Sequence, residues 1–171
     1  RVQREAEALI KRGHAVDVIC PKYKDDSDFD QHQSVNIYRV NMVWDRKGNF
    51  SGKLIQYFLF FIRVFWKLSF LHYKNKYDVV QTHNIPDFLV FAALIPKLQG
   101  ARIILDLHDL MPEFYQSRVK SGEKKLLLKL VFLQESLSCR FADLVITVTE
   151  HWRQNLINRG VTSGKVKVVM N

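Results

Sequence analysis

The sequence has little that staples, cradles or punctuates. Its 171 residues include only two cysteines, Cys20 and Cys139. Neither sits in a CxxC pair or beside a histidine, so a disulfide framework is excluded and both read as reduced core thiols of a cytosolic protein. Four prolines and seven glycines leave no Pro/Gly-rich linker and no collagen-like repeat. There is no P-loop, no Gly-rich dinucleotide fingerprint and no Ser, His and acid set, which weakens independent kinase, dehydrogenase and hydrolase readings. No long basic run or aromatic-stacking sheet motif is present, and this disfavours a nucleic-acid-binding α/β module even though the charge permits one.

What is present is a globular composition: 47% hydrophobic, 12% aromatic, with 26 Lys and Arg against 17 Asp and Glu for a net charge of +9. A chain of this length corresponds to about one domain and buries roughly 70% of the surface of its unfolded form. The positive balance points to a partner carrying negative charge, either nucleic acid, an anionic membrane surface or a phosphorylated substrate.

Apolar runs at 15–20, 35–40, 77–82, 102–107, 144–148 and 166–170 are strand-length and rich in Val and Ile, as buried parallel strands are. Helical patterns occupy 1–11, 52–73, 87–98, 123–141 and 150–158. The alternation predicts an α/β fold with the strands side by side in one direction, a Rossmann-like doubly wound parallel sheet in a single domain over 1–171. A βαβ unit begins with a strand and a glycine turn, whereas this chain opens inside the helix whose Val2, Ala6, Leu9 and Ile10 share a face. The sheet is therefore expected to lack its first strand, with both ends of the chain reading as cuts.

The segment from Lys53 to Lys74 holds eight Phe, Tyr and Trp residues. At 100° per residue Lys53, Gln56, Arg63, Lys67 and Lys74 fall in one stripe about 80° wide, leaving the remainder almost wholly apolar. The apolar core from Leu54 to Leu71 is long enough to span a bilayer, but Arg63 and Lys67 near its middle make spanning costly. One reading is a membrane-surface helix, with Arg63 and Lys67 reaching anionic head groups while Phe65 and Trp66 enter the acyl boundary. The other is a helix packed between its own sheet and a neighbouring helix.

Ligands of parallel sheets bind beyond the carboxyl ends of the strands, where two polar clusters fall. Thr82, His83, Asn84 and Asp87 lie at and after the end of the third apolar run and read either as a binding cluster or as helix capping with a surface histidine. Asp106, His108, Asp109 and Glu113 lie at and after the end of the fourth. There the imidazole is suited to donate to a phosphate or sugar hydroxyl beside Asp109, or the acids near Pro112 start a turn. The spacing fits no zinc signature and no carboxylate pair for a metal diphosphate, so no metal is expected.

The segments VQREAEALIKRGHAVDVIC, YDVVQTHN, IILDLHDLMPEFY, RFADLVITVTE and KVKVVMN, in this order, resemble the N-terminal half of family 4 retaining glycosyltransferases of the GT-B fold, particularly bacterial enzymes of capsule, O-antigen or exopolysaccharide assembly. HDLMPE is the most specific piece. The resemblance implies metal-free transfer of a sugar from a nucleotide-sugar donor to a saccharide, often lipid-linked, in a cleft between two Rossmann-like domains. It places His108 near the transferred sugar and its phosphate with Asp109 beside it, and His83, Asn84 and Glu113 on the acceptor side. With the reduced thiols and the basic aromatic helix, the expectation is a cytoplasmic protein peripheral on the inner face of the cytoplasmic membrane. The glycine-rich loop and the donor-binding half lie outside these residues, so the piece alone is expected to be inactive. A non-catalytic, membrane-recruiting acceptor-holding subunit of a split glycosyltransferase is the main alternative.

Overall fold

The structure, a computed structural model, describes residues 1–23, 25–42, 50–116 and 125–170. The protein is a mixed α/β fold whose residues cluster into two compact units, Arg1–Leu68 and Ser69–Asn171. The strands expected as one set lie in two sheets.

In the first unit, helix α1 (Val2–Lys11) precedes β1 (Asp17–Lys22), β2 (Phe29–His32) and β3 (Val35–Asn41). Their order is β1-β3-β2, with β1 parallel and β2 antiparallel to β3. The all-parallel expectation fails at β2, whose segment FDQH is exposed at every position and has no apolar alternation to announce it. His32 pairs with Val35 across Gln33 and Ser34, both at positive φ (47° and 67°), the backbone of a tight two-residue hairpin. β1 and β2 occupy both edges of β3, which is therefore the central strand of the three. Arg39 fixes the hairpin through ion pairs with Asp26 (3.4 Å) and Asp30 (3.2 Å).

Helix α2 (Phe50–Asn75) continues past the division after Leu68. Phe60, Val64 and Leu68, spaced four apart, are buried. The Arg63 guanidinium donates to the Asn41 carbonyl at 2.7 Å, and the Lys67 ammonium lies 4.8 Å from the Tyr38 ring. The basic stripe thus leans on β3 of its own unit.

The second unit is a parallel sheet in the order β4 (Val79–His83), β5 (Arg102–Leu107), β6 (Leu144–Thr147) and β7 (Val166–Val168). The connections carry α3 (Leu94–Leu98), α4 (Met111–Gln116), α5 (Lys125–Phe141) and α6 (Glu150–Asn158), the Rossmann-like arrangement. Ile103, Leu105, Leu107 and Val145 are fully buried, which is why these strands read as continuous apolar runs. Asp143 ties the start of β5 to β6: its side chain accepts from the Ile103 amide at 2.8 Å and its amide donates to the Ile103 carbonyl at 2.7 Å.

The expected helix over 87–98 is a 3₁₀ segment, Asp87–Ala93, followed by α3. Asp87, Val90 and Ala93 are buried, and a face repeating every three residues is the period of the tighter helix. Residues 123–124 of the next expected helix lie outside the described residues. Both cysteines are free, Cys139 buried in α5, where burial pushes its thiol up, and Cys20 half-buried in β1.

Candidate functional site

Parallel pairing of β4 with β5 sets His83 opposite Asp106 at the carboxyl ends of both strands. His108 lies one residue beyond the end of β5, and its ring comes to the same place. His83 Nδ1 lies 3.0 Å from His108 Nε2 and 3.2 Å from Asp106 Oδ2, and His108 Nε2 lies 3.7 Å from that oxygen. The Asp106 side chain is fully buried, whereas the two imidazoles are 24% and 26% exposed. A buried carboxyl group therefore sits beneath two rings that are partly open to solvent.

Asn84 holds the loops around this cluster. Its Oδ1 accepts from the His108 amide at 2.8 Å, its Nδ2 donates to Asp87 Oδ1 at 3.0 Å and to the Asp109 carbonyl, and its own amide donates to the Asp106 carbonyl at 3.1 Å. The sequence offered Asn84 and Asp87 as helix caps. Instead the 3₁₀ segment begins after Pro86 without a side-chain cap, and Asp87 is 1% exposed, its carboxyl pushed up to about 7 by burial despite the Asn84 donor. Gln81 Nε2 donates to Asp106 Oδ2 at 3.3 Å, which further orients the carboxylate.

Of the residues singled out in the sequence, the fold brings His83, Asn84 and His108 together. The carboxylate among the imidazoles is Asp106. Asp109 is exposed, and its contact with the cluster runs through its backbone carbonyl. Glu113, on α4, is ion-paired with Arg159 and accepts from Asn155 Nδ2 at 3.0 Å. Arg159 also grips both oxygens of buried Glu135 at 2.9 and 3.0 Å, joining α4, α5 and the end of α6. Sequence reading missed Asp106 as a partner of His83 because only strand register shows it. It missed the Arg159 network because its members come from three helices.

Arg63 and Lys67 touch β3 as described, Phe65 meets Trp66 edge-on at 5.4 Å, and Trp66 is 68% exposed. Beside Trp66, the residues Leu54, Ile55, Phe58, Leu59 and Ile62 form an exposed apolar face.

The fold is shared with solved structures. Sucrose-phosphate synthase from Thermosynechococcus elongatus matches 99% of this chain with a TM-score of 0.71 at 20% identity, the chain spanning 41% of that protein's length. A second, shorter structure of the same synthase matches 99% of this chain and 83% of its own, with a TM-score of 0.67 at 15% identity. Residues 1–171 match Glycosyltransferase Family 4 throughout, and the chain belongs to that family.

Proposed function

We propose that the full-length protein transfers a sugar, with retention, from a nucleotide-sugar donor to a lipid-linked saccharide acceptor in surface polysaccharide assembly, and that this chain supplies the acceptor-side half of the cleft. The observation that carries the reading is the pair of accessible imidazoles, His83 and His108, over buried Asp106 at the carboxyl ends of β4 and β5, in a chain of this glycosyltransferase family. Departure of a nucleoside diphosphate builds negative charge on the leaving oxygens, and fixed donors aimed there lower the barrier. His108 supplies such a donor without a metal ion. Asp106, too buried to touch substrate, acts through the rings by orienting them. Asn84 is a positioning residue, since it holds the His108 backbone.

The test is sugar transfer by the full-length protein, measured with a labelled nucleotide-sugar. His108→Ala is expected to lower kcat by about 10²- to 10³-fold, and a chelator is expected not to lower the wild-type rate. A His108→Ala variant as fast as wild type would remove the imidazole from the reaction.

The same reading places the protein on the inner face of the cytoplasmic membrane, through the exposed face of α2. Gly52–Asn75 is apolar enough, at a mean hydropathy of 1.5 with only 22% of its most apolar stretch buried, to enter a bilayer by length and composition. The net charge of +9 adds attraction to anionic lipid.

A further inference from the structure

We propose that His83, Asp106 and His108 form a binding site for a zinc ion. The three ligand atoms, His83 Nδ1, His108 Nε2 and Asp106 Oδ2, stand 3.0, 3.2 and 3.7 Å from one another. Donors held at the bond lengths of tetrahedral zinc lie about 3.3–3.4 Å apart, given bonds of about 2.0–2.1 Å. The triangle therefore matches one face of that tetrahedron to within a few tenths of an ångström. The fourth vertex falls on the solvent side, because the imidazoles are about a quarter exposed while Asp106 is fully buried.

The donor chemistry selects the metal. Two imidazole nitrogens and one carboxylate oxygen suit zinc, whereas magnesium and calcium prefer an all-oxygen shell. His83 and Asp106 are paired across adjacent parallel strands, so their spacing is set by sheet hydrogen bonds rather than by a loop. Gln81 Nε2, 3.3 Å from Asp106 Oδ2, orients the carboxylate ligand, the role outer groups play in zinc sites.

Charge balance points the same way. Nδ1 of His83 and Nε2 of His108 face each other at 3.0 Å. An ion of charge +2 satisfies both ring nitrogens and the carboxylate at once. No linear zinc motif reveals the site, because its ligands come from two strands joined by a helical crossover.

The binding claim stands on this geometry alone. Its functional consequence rests on the reading above: zinc takes the ring nitrogens that transfer uses, and so inhibits the enzyme.

The full-length protein is stripped with a chelator and dialysed against Zn²⁺ or, separately, Mg²⁺. Metal content is then measured, with Co²⁺ substitution reporting geometry through the strong visible absorption of a tetrahedral site. Wild type is expected to retain one more zinc per chain than His108→Ala or His83→Ala, to show the tetrahedral Co²⁺ spectrum those variants lack, and to retain no magnesium here. His108→Gln, with thermal melts of all variants, guards against a loss caused by unfolding. Equal zinc content and equal Co²⁺ spectra in wild type and all folded variants would overturn the site. If zinc binds stoichiometrically at these residues and sugar transfer is unaffected, the metal site stands and the placement of transfer at these imidazoles fails.

Discussion

Asp87 carries a carboxyl that the sequence offers as a helix cap and the fold hides. It is 1% exposed, with Oδ1 bound to Asn84 and Oδ2 buried without a hydrogen-bond partner among the described residues. Burial raises it from the ordinary 3.8 to about 7, so the folded state binds this proton more tightly than the unfolded chain does. The stabilisation from the neutral acid is therefore complete below about pH 4 and is lost as pH rises through about 7. Thermal melts from pH 5 to 8 are expected to show Tm falling with pH, and Asp87→Asn is expected to flatten that slope. A variant profile parallel to wild type would mean the carboxyl is ionised when folded. At this scale the sequence was partly legible. His83, Asn84 and His108 stood out because polar residues at the ends of apolar runs are rare enough to notice. Asp106 did not stand out against Asp109, because the choice between neighbouring acids depends on which one strand pairing turns inward.

Among the elements, the Arg159 contacts hold α4, α5 and α6 through Glu113 and Glu135. Glu135 is 3% exposed, and burial raises its carboxyl even though the guanidinium pulls the other way. Removing the cation strands a buried carboxylate, so Arg159→Met is expected to cost about 3–5 kcal/mol in denaturant unfolding. Adding Glu135→Gln should recover part of that loss. A single variant within about 0.5 kcal/mol of wild type would show that the network contributes nothing. The exposed face of α2 gives the second prediction here. Phe58→Ser, Ile62→Ser and Trp66→Ser together are expected to abolish co-sedimentation with anionic liposomes, while equal binding would exclude this face as the membrane contact. Elements with a strong local signature were legible: β5 and α6 coincide with the expected 102–107 and 150–158, the latter because Thr149 accepts from the Trp152 amide at 3.1 Å. Helix α4 was hidden because MPEFYQ places Pro112 in its first turn, where proline is tolerated yet reads as a turn. β2 was hidden because an exposed edge strand needs no apolar face.

For the molecule as a whole, parallel strands with helical connections were readable from the alternation of Val/Ile-rich runs and helical patterns. The division into two sheets was not, because an alternation of runs and helices does not say which strands pair. The family follows from the whole chain, whereas the working geometry follows from two strand ends meeting in space. That meeting is best tested by a double-mutant cycle on kcat/KM for sugar transfer by the full-length protein, using His83→Ala, His108→Ala and the pair. Residues that act as one unit lose little more together than singly. The expected result is a double variant no slower than about threefold below the worse single one. Losses that multiply, or singles that match wild type, would contradict a shared site over Asp106.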